Sequence, residues 1–511
     1  LVDCDVDGYA SASMVYRAFK KIDSGLNITY SLHTKKQHGL SKDIAIPDDC
    51  KLLIIPDAGS NDVEQCRELK DKGVDIIILD HHICDVENDY AIVVNNQMCR
   101  YPNKNFCGAG IVYKFLEALD EELWEDTASG MLDMCALANI SDVMDMREPE
   151  TRYYVLRGLT RIRSKLFKAL IDKQSYSMNG IVNITSVQFY ITPILNAMIR
   201  IGDQDEKDLL FRAFIETDEV FKYKKRGEIE EVDESIYDRA ARLCSNAKAR
   251  QTKEVAKEVA EVERLISDKR LDENKAIFAN VTGILGETLT GLVAIKIAEK
   301  YNLPTLLLRR QVPRENEELF YGGSCRNFDN SPIESLKKEL LNTGLFEFVQ
   351  GHDNAAGFSI ARENVQAAIS DINNKWKDID FQAIWKVDFD KSAEDIDVAF
   401  IKAIDDMKDM FGQGVKEPLI HISHIPVYKE STMIMGKNLN TWKTIYNDEL
   451  AFVMFSVDRD KDQIIQEYEN EEETFDSLLG HMDVVGKATL NNYKGILTPQ
   501  IIVKDYEFTK A

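Results

Sequence analysis

Several things are missing from this chain. None of its nine cysteines pair in CxxC spacing, no apolar run reaches the roughly 18 residues of a membrane span, and no signal peptide opens it. Scattered thiols argue against a zinc ribbon or a disulfide framework and fit a reducing cytoplasm. Positive charge is also in deficit, with 63 Lys and Arg against 87 Asp and Glu, a formal net charge of −24. Broad nonspecific binding to nucleic acid or to an anionic membrane is therefore disfavoured, although a local basic groove remains allowed. No internal repeat or low-complexity linker is found. The 511 residues suffice for two to four domains with substantial cores. Leu1 rather than Met opens the chain, inside a strand-like run, so residues are expected upstream.

What is present begins with acid. In "LVDCDVDG" three aspartates, Asp3, Asp5 and Asp7, stand at every second position. On a strand they would share one face and repel one another, which calls for a cation among them. Further on, "KLLIIPD" (51–57), "VDIIILDHH" (74–82) and "YAIVVNNQ" (90–97) are compact apolar runs ending in polar residues, separated by segments of helical spacing. This is βαβ grammar. Runs so uniformly apolar suit a parallel sheet covered on both faces, whose functional groups gather beyond the carboxyl ends of the strands.

From about 150 to 270 the pattern is mostly helical, and "AARLCSNAKARQTKEVAKEVAEVERLI" predicts a long, solvated connecting helix. Strand and helix alternate again from "LDENKAIFANVTG". After about 380 short strands and turns predict a small barrel, with "EYENEEETFD" (467–476) as an exposed acidic loop. The resulting division is a catalytic α/β domain over 1–160, a helical connector over 161–270, a second α/β domain over 271–378 and a β-barrel domain over 379–511.

Four polar clusters end strands or begin the helices after them: Asp5 and Asp7, Asp57 in "IIPDAGS", Asp80-His81-His82, and Asp142 in "ANISDV". An isolated aspartate at such a place more often caps a helix or forms a turn. Four clusters in register with four strand ends instead predict carboxylates with one imidazole, the ligand set of Mn²⁺ or Mg²⁺. Two ions sharing a carboxylate can activate a water and stabilise both oxygens of a phosphoryl transfer.

"DVDG", "PDAG", "DHH" and "SDV", in this order, resemble the four motifs of the DHH phosphoesterase family. "ITPILNAMIRIG", "YGGSCRN", "GHDNAAG" and the C-terminal "FGQGVKEPLIHISHIPV" and "VGKATLNNYKGILTPQIIVKDYE" are similar to segments of its RecJ exonucleases. The resemblance implies that 271–378 is a DHHA1-type substrate-binding domain and 379–511 an OB-type domain. It further implies that Asp5 and Asp57 hold one metal, with Asp7, Asp57, His81 and Asp142 holding the other and Asp57 bridging. His82 would contact the scissile phosphate and Asp80 would orient the histidines. Ser324, Arg326 and His352 would grip substrate phosphate from the second domain, with Asn196 and Arg200 along the same channel. One departure stands out: Leu1 occupies the place where RecJ proteins usually carry a metal-binding histidine.

The implied function is a monomeric, two-metal, 5′-to-3′ exonuclease on single-stranded DNA, releasing 5′-mononucleotides in repair or recombination, alongside a helicase or single-strand-binding protein. Competing readings are a DHH phosphodiesterase for oligoribonucleotides or cyclic dinucleotides, which would lack the barrel, and a catalytically silent replication scaffold, which would have lost ligands. The barrel is expected to matter for long strands and not for the chemistry. In so acidic a chain, binding would rest on a local track such as Lys416, Lys437, Trp442, Lys443 and Lys487.

Overall fold

The opening stretch departs at once from the strand that its alternation predicts. In the computed structural model, which describes all residues except 35–36, 42–43, 85, 226, 229, 287, 312–318, 383, 448, 471–476 and 494–495 and the side chains at 492–493, Val2 makes only an isolated parallel bridge to Leu32. Helix α1 (Val6–Ile22) then begins, with Asp5 as its N-cap accepting from the Gly8 amide at 3.0 Å. Small residues, Gly8 and Ala10 to Ser13, keep its first turns slim enough to be buried on every side, and Lys20 and Lys21 complement its C-terminal dipole. Asp7 therefore belongs to a helical turn.

The chain divides into two units, Leu1–Ala247 with Val387–Ala511, and Lys248–Lys386. In the first unit β1 (Leu52–Pro56), α2 (Val63–Asp71), β2 (Asp75–Asp80) and β3 (Ile92–Asn95) form the predicted parallel sheet in the order β1-β2-β3. Pro56 pairs with Leu79 and Asp80 with Asn95, so the residues that follow β1 and β2 leave the sheet at one edge. Helices α3 (Gly108–Leu123) and α4 (Leu132–Ser141) pack on α1 around Met14, Val112, Leu116, Met134 and Leu137, all completely buried. Asp142 is the C-cap of α4. The fourth acidic cluster thus stands at a helix end, not a strand end.

Helices α5 (Pro149–Thr160), α6 (Lys165–Gln174), α7 (Ile184–Ser186), α8 (Thr192–Ile201) and α9 (Gln204–Phe214) follow, with one π-helical turn, Val187–Ile191, leading into α8. The helical expectation for this stretch missed a hairpin, β4 (Val220–Tyr223) with β5 (Val232–Ser235). Its aromatics Phe221 and Tyr223 lie under the guanidinium groups of Arg239 and Arg242. Those arginines belong to α10 (Ile236–Lys269), the long connecting helix. It is not simply solvated: Ala240, Cys244 and Ala247 are core of the first unit, while Val262 and Ile266 are core of the second.

In the second unit β6 (Ile277–Asn280), α11 (Thr290–Tyr301), β7 (Thr305–Arg310), β8 (Phe320–Arg326), α12 (Leu336–Leu341), β9 (Phe346–His352), β10 (Ala355–Ala361) and α13 (Val365–Lys375) build a mixed sheet in the order β6-β7-β8-β10-β9. A Cβ at Gly323 would stand 1.9 Å from the Leu307 carbonyl oxygen, so the glycines of "YGGSCR" let β8 lie flat against β7.

The first unit resumes with β11 (Phe389–Ser392), α14 (Val398–Asp405), β12 (Ile420–Tyr428), β13 (Thr432–Met435), β14 (Thr441–Tyr446), β15 (Leu450–Met454), α15 (Gln463–Asn470), β16 (Leu478–Tyr493) and β17 (Ile496–Lys510). They form a seven-stranded sheet, β11-β12-β16-β17-β15-β14-β13, with a core that includes Ile420, Ile422, Phe452 and Ile501. Trp442 is fully buried there and donates its indole N–H to Asp462, so it is no part of a surface track. Lys487 is paired with Glu417 at 2.7 Å. The first residues of the expected acidic loop end α15, and 471–476 lie outside the described residues. This sheet is tied to the N-terminal part: Met146 donates its amide to Gln413 O at 2.8 Å, and a Cβ at Gly412 would stand 2.8 Å from Ile184.

Candidate metal centre

Two close approaches by glycine assemble the acids. Gly8, in the first turn of α1, lies so near Asp3 that a Cβ there would be 2.8 Å from its Cα. Gly108 begins α3, and a Cβ there would stand 2.7 Å from the Cα of Asp57 and 2.5 Å from its Oδ1. Asp3 and Asp57 are thereby pressed against the positive ends of two helices. Asp7 caps the second of these, its carboxylate accepting from the Gly108 and Ala109 amides, both at 2.7 Å, and from Ser11 Oγ at 3.2 Å.

Asp57 directly follows β1 in a left-handed conformation, φ +67°, which a non-glycine residue adopts at a cost of order 1–3 kcal/mol. It is 1% exposed, and neither carboxylate oxygen has a hydrogen-bond partner. His81 Nε2, likewise buried and unpartnered, lies 3.2 Å from Asp57 Oδ1, 3.5 Å from Asp142 Oδ2 and 3.8 Å from Asp7 Oδ2. Donor atoms of Asp7, His81 and Asp142 lie within 4.8 Å of one another, as do those of Asp3, Asp5 and Asp57. The five proposed metal ligands therefore converge.

Asp80 organises the turn after β2. It accepts from the amides of Ser60, His81 and His82 and from His82 Nδ1 at 2.8 Å. Burial opposes charge on both partners, yet their contact outweighs it: His82 is raised to about 9, and Asp80 is held below the usual carboxylate range. With Nδ1 taken by Asp80, the half-exposed imidazole keeps Nε2–H available.

Burial, followed by the repulsion of neighbouring acids, pushes Asp57 and Asp142 well above the ordinary range and raises Asp5. His81 is lowered by burial, hence neutral and able to ligate. Clustered oxygens, one neutral imidazole and orphaned buried donors fit hard divalent cations such as Mn²⁺ or Mg²⁺.

Two neighbours stand beside the ligand set that the resemblance implies. Asp3, 1% exposed, joins Asp5 and Asp57. Its alternation with Asp5 was a signal available in the sequence. His38 has its Nδ1 2.5 Å from Asp3 Oδ2, and the hydrogen bond to Asp3 raises it to about 11. No local pattern marks His38, because the contact spans 35 residues. Leu1 packs among apolar neighbours beside β1 and donates its amino group to Ile54 O.

Of the remaining expected site residues, Asn196 and Arg200 belong to the first unit and Ser324, Arg326 and His352 to the second. Asn196 and Arg200 are partly buried on one face of α8, which packs on α1. In the second unit Arg326, Ala355 and His352 stand in one cross-strand row of β8, β10 and β9, and Ser324 pairs with Gly357 in the same strands. Arg326 Nη1 donates to the carbonyls of Cys325 and Ala356.

A parallel sheet whose edge gathers buried carboxylates and a neutral imidazole, in a chain whose C-terminal part is built round a seven-stranded sheet, defines a metal-assisted phosphoesterase architecture. The model of the DHH family N-terminal domain matches residues 1–139, and that of the RecJ OB domain matches 387–505. The SPbeta prophage protein YorK of Bacillus subtilis (strain 168), a single-strand DNA-specific exonuclease by name, is 40% identical over all of this chain and 87% of its own length. The single-stranded-DNA-specific exonuclease RecJ of the same organism is 25% identical over 98% of this chain and 60% of its own length. RecJ of Thermus thermophilus, solved in complex with Mn²⁺, superposes over the whole chain and 68% of that protein with a TM-score of 0.68 at 18% identity. The chain belongs to the DHH family, in its RecJ-type branch.

Proposed function

We propose that this protein is a divalent-metal-dependent exonuclease that degrades single-stranded DNA in the 5′-to-3′ direction to 5′-mononucleotides, in repair or recombination. The observation that carries the proposal is Asp57: a buried, strained carboxylate with both oxygens unpartnered, at the point where the other acids and His81 converge. Substrate class follows the names of the relatives and the match to an OB domain.

In this reading Asp5 and Asp57, joined by Asp3, hold one ion, and Asp7, Asp57, His81 and Asp142 hold the other. When bound, Mn²⁺ or Mg²⁺ would supply an activated water and stabilise the charge of the in-line displacement. The chain's own residues do the rest. Asp57 spans both groups. Asp80 holds His82 protonated, so that its Nε2–H donates to a non-bridging phosphate oxygen and withdraws charge as it develops. Asn196, Arg200, Ser324, Arg326 and His352 position the strand, with Arg326 suited to a bidentate phosphate contact. The OB match favours this reading over a small-substrate phosphodiesterase, and the surviving acids favour it over a silent scaffold. All nine cysteines are unpaired and no described helix is long and apolar enough to cross a membrane, in keeping with the reducing cytoplasm we assign. We further assign a monomer, working beside a helicase or a single-strand-binding protein.

The test is a 5′-end-labelled single strand incubated with chelator, Mn²⁺ or Mg²⁺. Release of the label as mononucleotide in the first cut, with no ladder of shortened labelled strands, abolished by chelation and restored by metal, is expected; a ladder from loss at the 3′ end alone, or metal-independent cleavage, would refute the proposal.

A further inference from the structure

We propose that His38 is a ligand of the ion held by Asp3, Asp5 and Asp57. The inference rests on the metal-centre reading above and adds a residue to it. His38 reaches the acids from a segment outside the sheet and its helices, and the two residues after it are pinned: the Gly39 amide donates to Asp3 Oδ1 at 3.0 Å and the Leu40 amide to Asp62 Oδ2, at the start of α2, at 2.7 Å. Backbone so anchored presents the His38 ring to the one Asp3 oxygen that Gly39 leaves open.

The ring is well placed for coordination once the entering cation displaces the proton that it shares with Asp3. Asp3, Cys4 and His38 have donor atoms within 4.8 Å of one another, and Asp3 is common to this group and to the group with Asp5 and Asp57. Cys4 Sγ lies 3.8 and 3.9 Å from the ring nitrogens. The His38 ring centroid is 6.5 Å from that of His82, so the imidazole stands at the mouth where the DHH turn opens. Donors sharing a cation at bond lengths of about 2.1 Å sit about 3 Å apart. The 2.5 Å between Asp3 Oδ2 and His38 Nδ1 need widen by only about half an ångström to admit an ion. Asp57, whose carboxylate has neither oxygen satisfied, shares the group of Asp3 and Asp5. The partner is thus a divalent cation with appetite for both carboxylate and imidazole, and Mn²⁺ suits that mixture better than Mg²⁺.

The competing role for His38 is that of a hydrogen-bonding positioner of Asp3, and a glutamine can imitate that role but is a poor ligand. The full chain is therefore titrated calorimetrically with Mn²⁺ as wild type, His38→Ala and His38→Gln, with folding checked by circular dichroism. The expected result is two sites in the wild type, with one weakened tenfold or more in both variants. Pulsed electron paramagnetic resonance of the Mn²⁺-loaded protein supplies an independent readout. Coupling to a histidine ¹⁴N should persist in His81→Ala and vanish in the double variant His38→Ala/His81→Ala. Affinities within twofold of wild type in His38→Ala, full rescue by His38→Gln, or persisting coupling in the double variant would each overturn the assignment while leaving the metal centre standing. Absence of any Mn²⁺ binding by the wild type would remove the metal-centre reading itself, and this inference with it.

Discussion

Asp57 shows what the site demands of single residues. Asparagine tolerates φ +67° better than most side chains and carries no charge, so Asp57→Asn should make the chelated protein more stable, by of order 1–3 kcal/mol, while abolishing activity and metal binding. Thermal melts with chelator and with Mn²⁺ would check both halves. A pH dependence follows from the same crowding. Asp5, Asp57 and Asp142 titrate higher in the folded, metal-free protein than the roughly 3.9 of an unfolded chain, so folding takes up protons. Their contribution is complete below that ordinary value and is lost as pH rises through the raised ones. Chelated protein should accordingly melt at lower temperature as pH climbs from about 5 to 8, and Mn²⁺ should flatten the trend. The Asp80–His82 pair makes a separable prediction: Asp80→Asn should bring His82 down from about 9 to its usual 6.5 or below, as read by histidine NMR titration. Loss of a charge-assisted contact of about 1.5–3 kcal/mol predicts a tenfold to hundredfold slower reaction.

At the scale of elements, the site depends on helix α3 meeting the end of β1 without a side chain between them. Gly108→Ala would drive a methyl group against the Asp57 backbone, so loss of metal affinity and about 1–3 kcal/mol of stability are expected from calorimetry and melts. Arg326→Ala, by contrast, should leave metal binding intact and weaken DNA handling tenfold to a hundredfold, because the arginine lies in the second unit and is assigned to phosphate alone. Legibility divides along the same line. Strands β1 to β3 could be read because each is a dense apolar run closed by polar residues, and the acids that follow β1 and β2 could be read with them. Asp3 to Asp7 could not be placed, since an alternation of acids has the same appearance whether a strand continues or an N-cap turns it into α1. Asp142 carries a site position on a helix end that no strand pattern announces. His38 is the clearest loss, for nothing near it in sequence hints at Asp3. The buried face of α10 was hidden by the mixed charge of its other faces, and Trp442 by the habit of reading an aromatic among lysines as surface.

For the whole molecule, the C-terminal sheet is better anchored than a barrel appended for long strands would be. Met146 and Ile184 of the N-terminal part meet Gln413 and Gly412, so truncation near Asp378 would bare an interface and not merely remove a DNA-binding domain. Charge reversal at exposed Lys437 is the cleaner experiment: affinity for a strand of tens of nucleotides should fall, and the salt slope should shrink by about 0.7 if one phosphate contact is lost. The placing of residues 248–386 between the two parts of the first unit bears on how the protein is made. Met146 must wait for Gln413, 413 − 146 = 267 residues later, which at about 5–20 residues per second is a delay of roughly 13–50 s on the ribosome. The inserted unit, contiguous in sequence, can close meanwhile, but the half that bears the nuclease centre cannot seat residues 387–511 until they have been made. A ribosome stalled after residue 184 and before residue 412 would therefore display the acidic centre on a half-assembled unit, with Met146 and Ile184 still open to solvent.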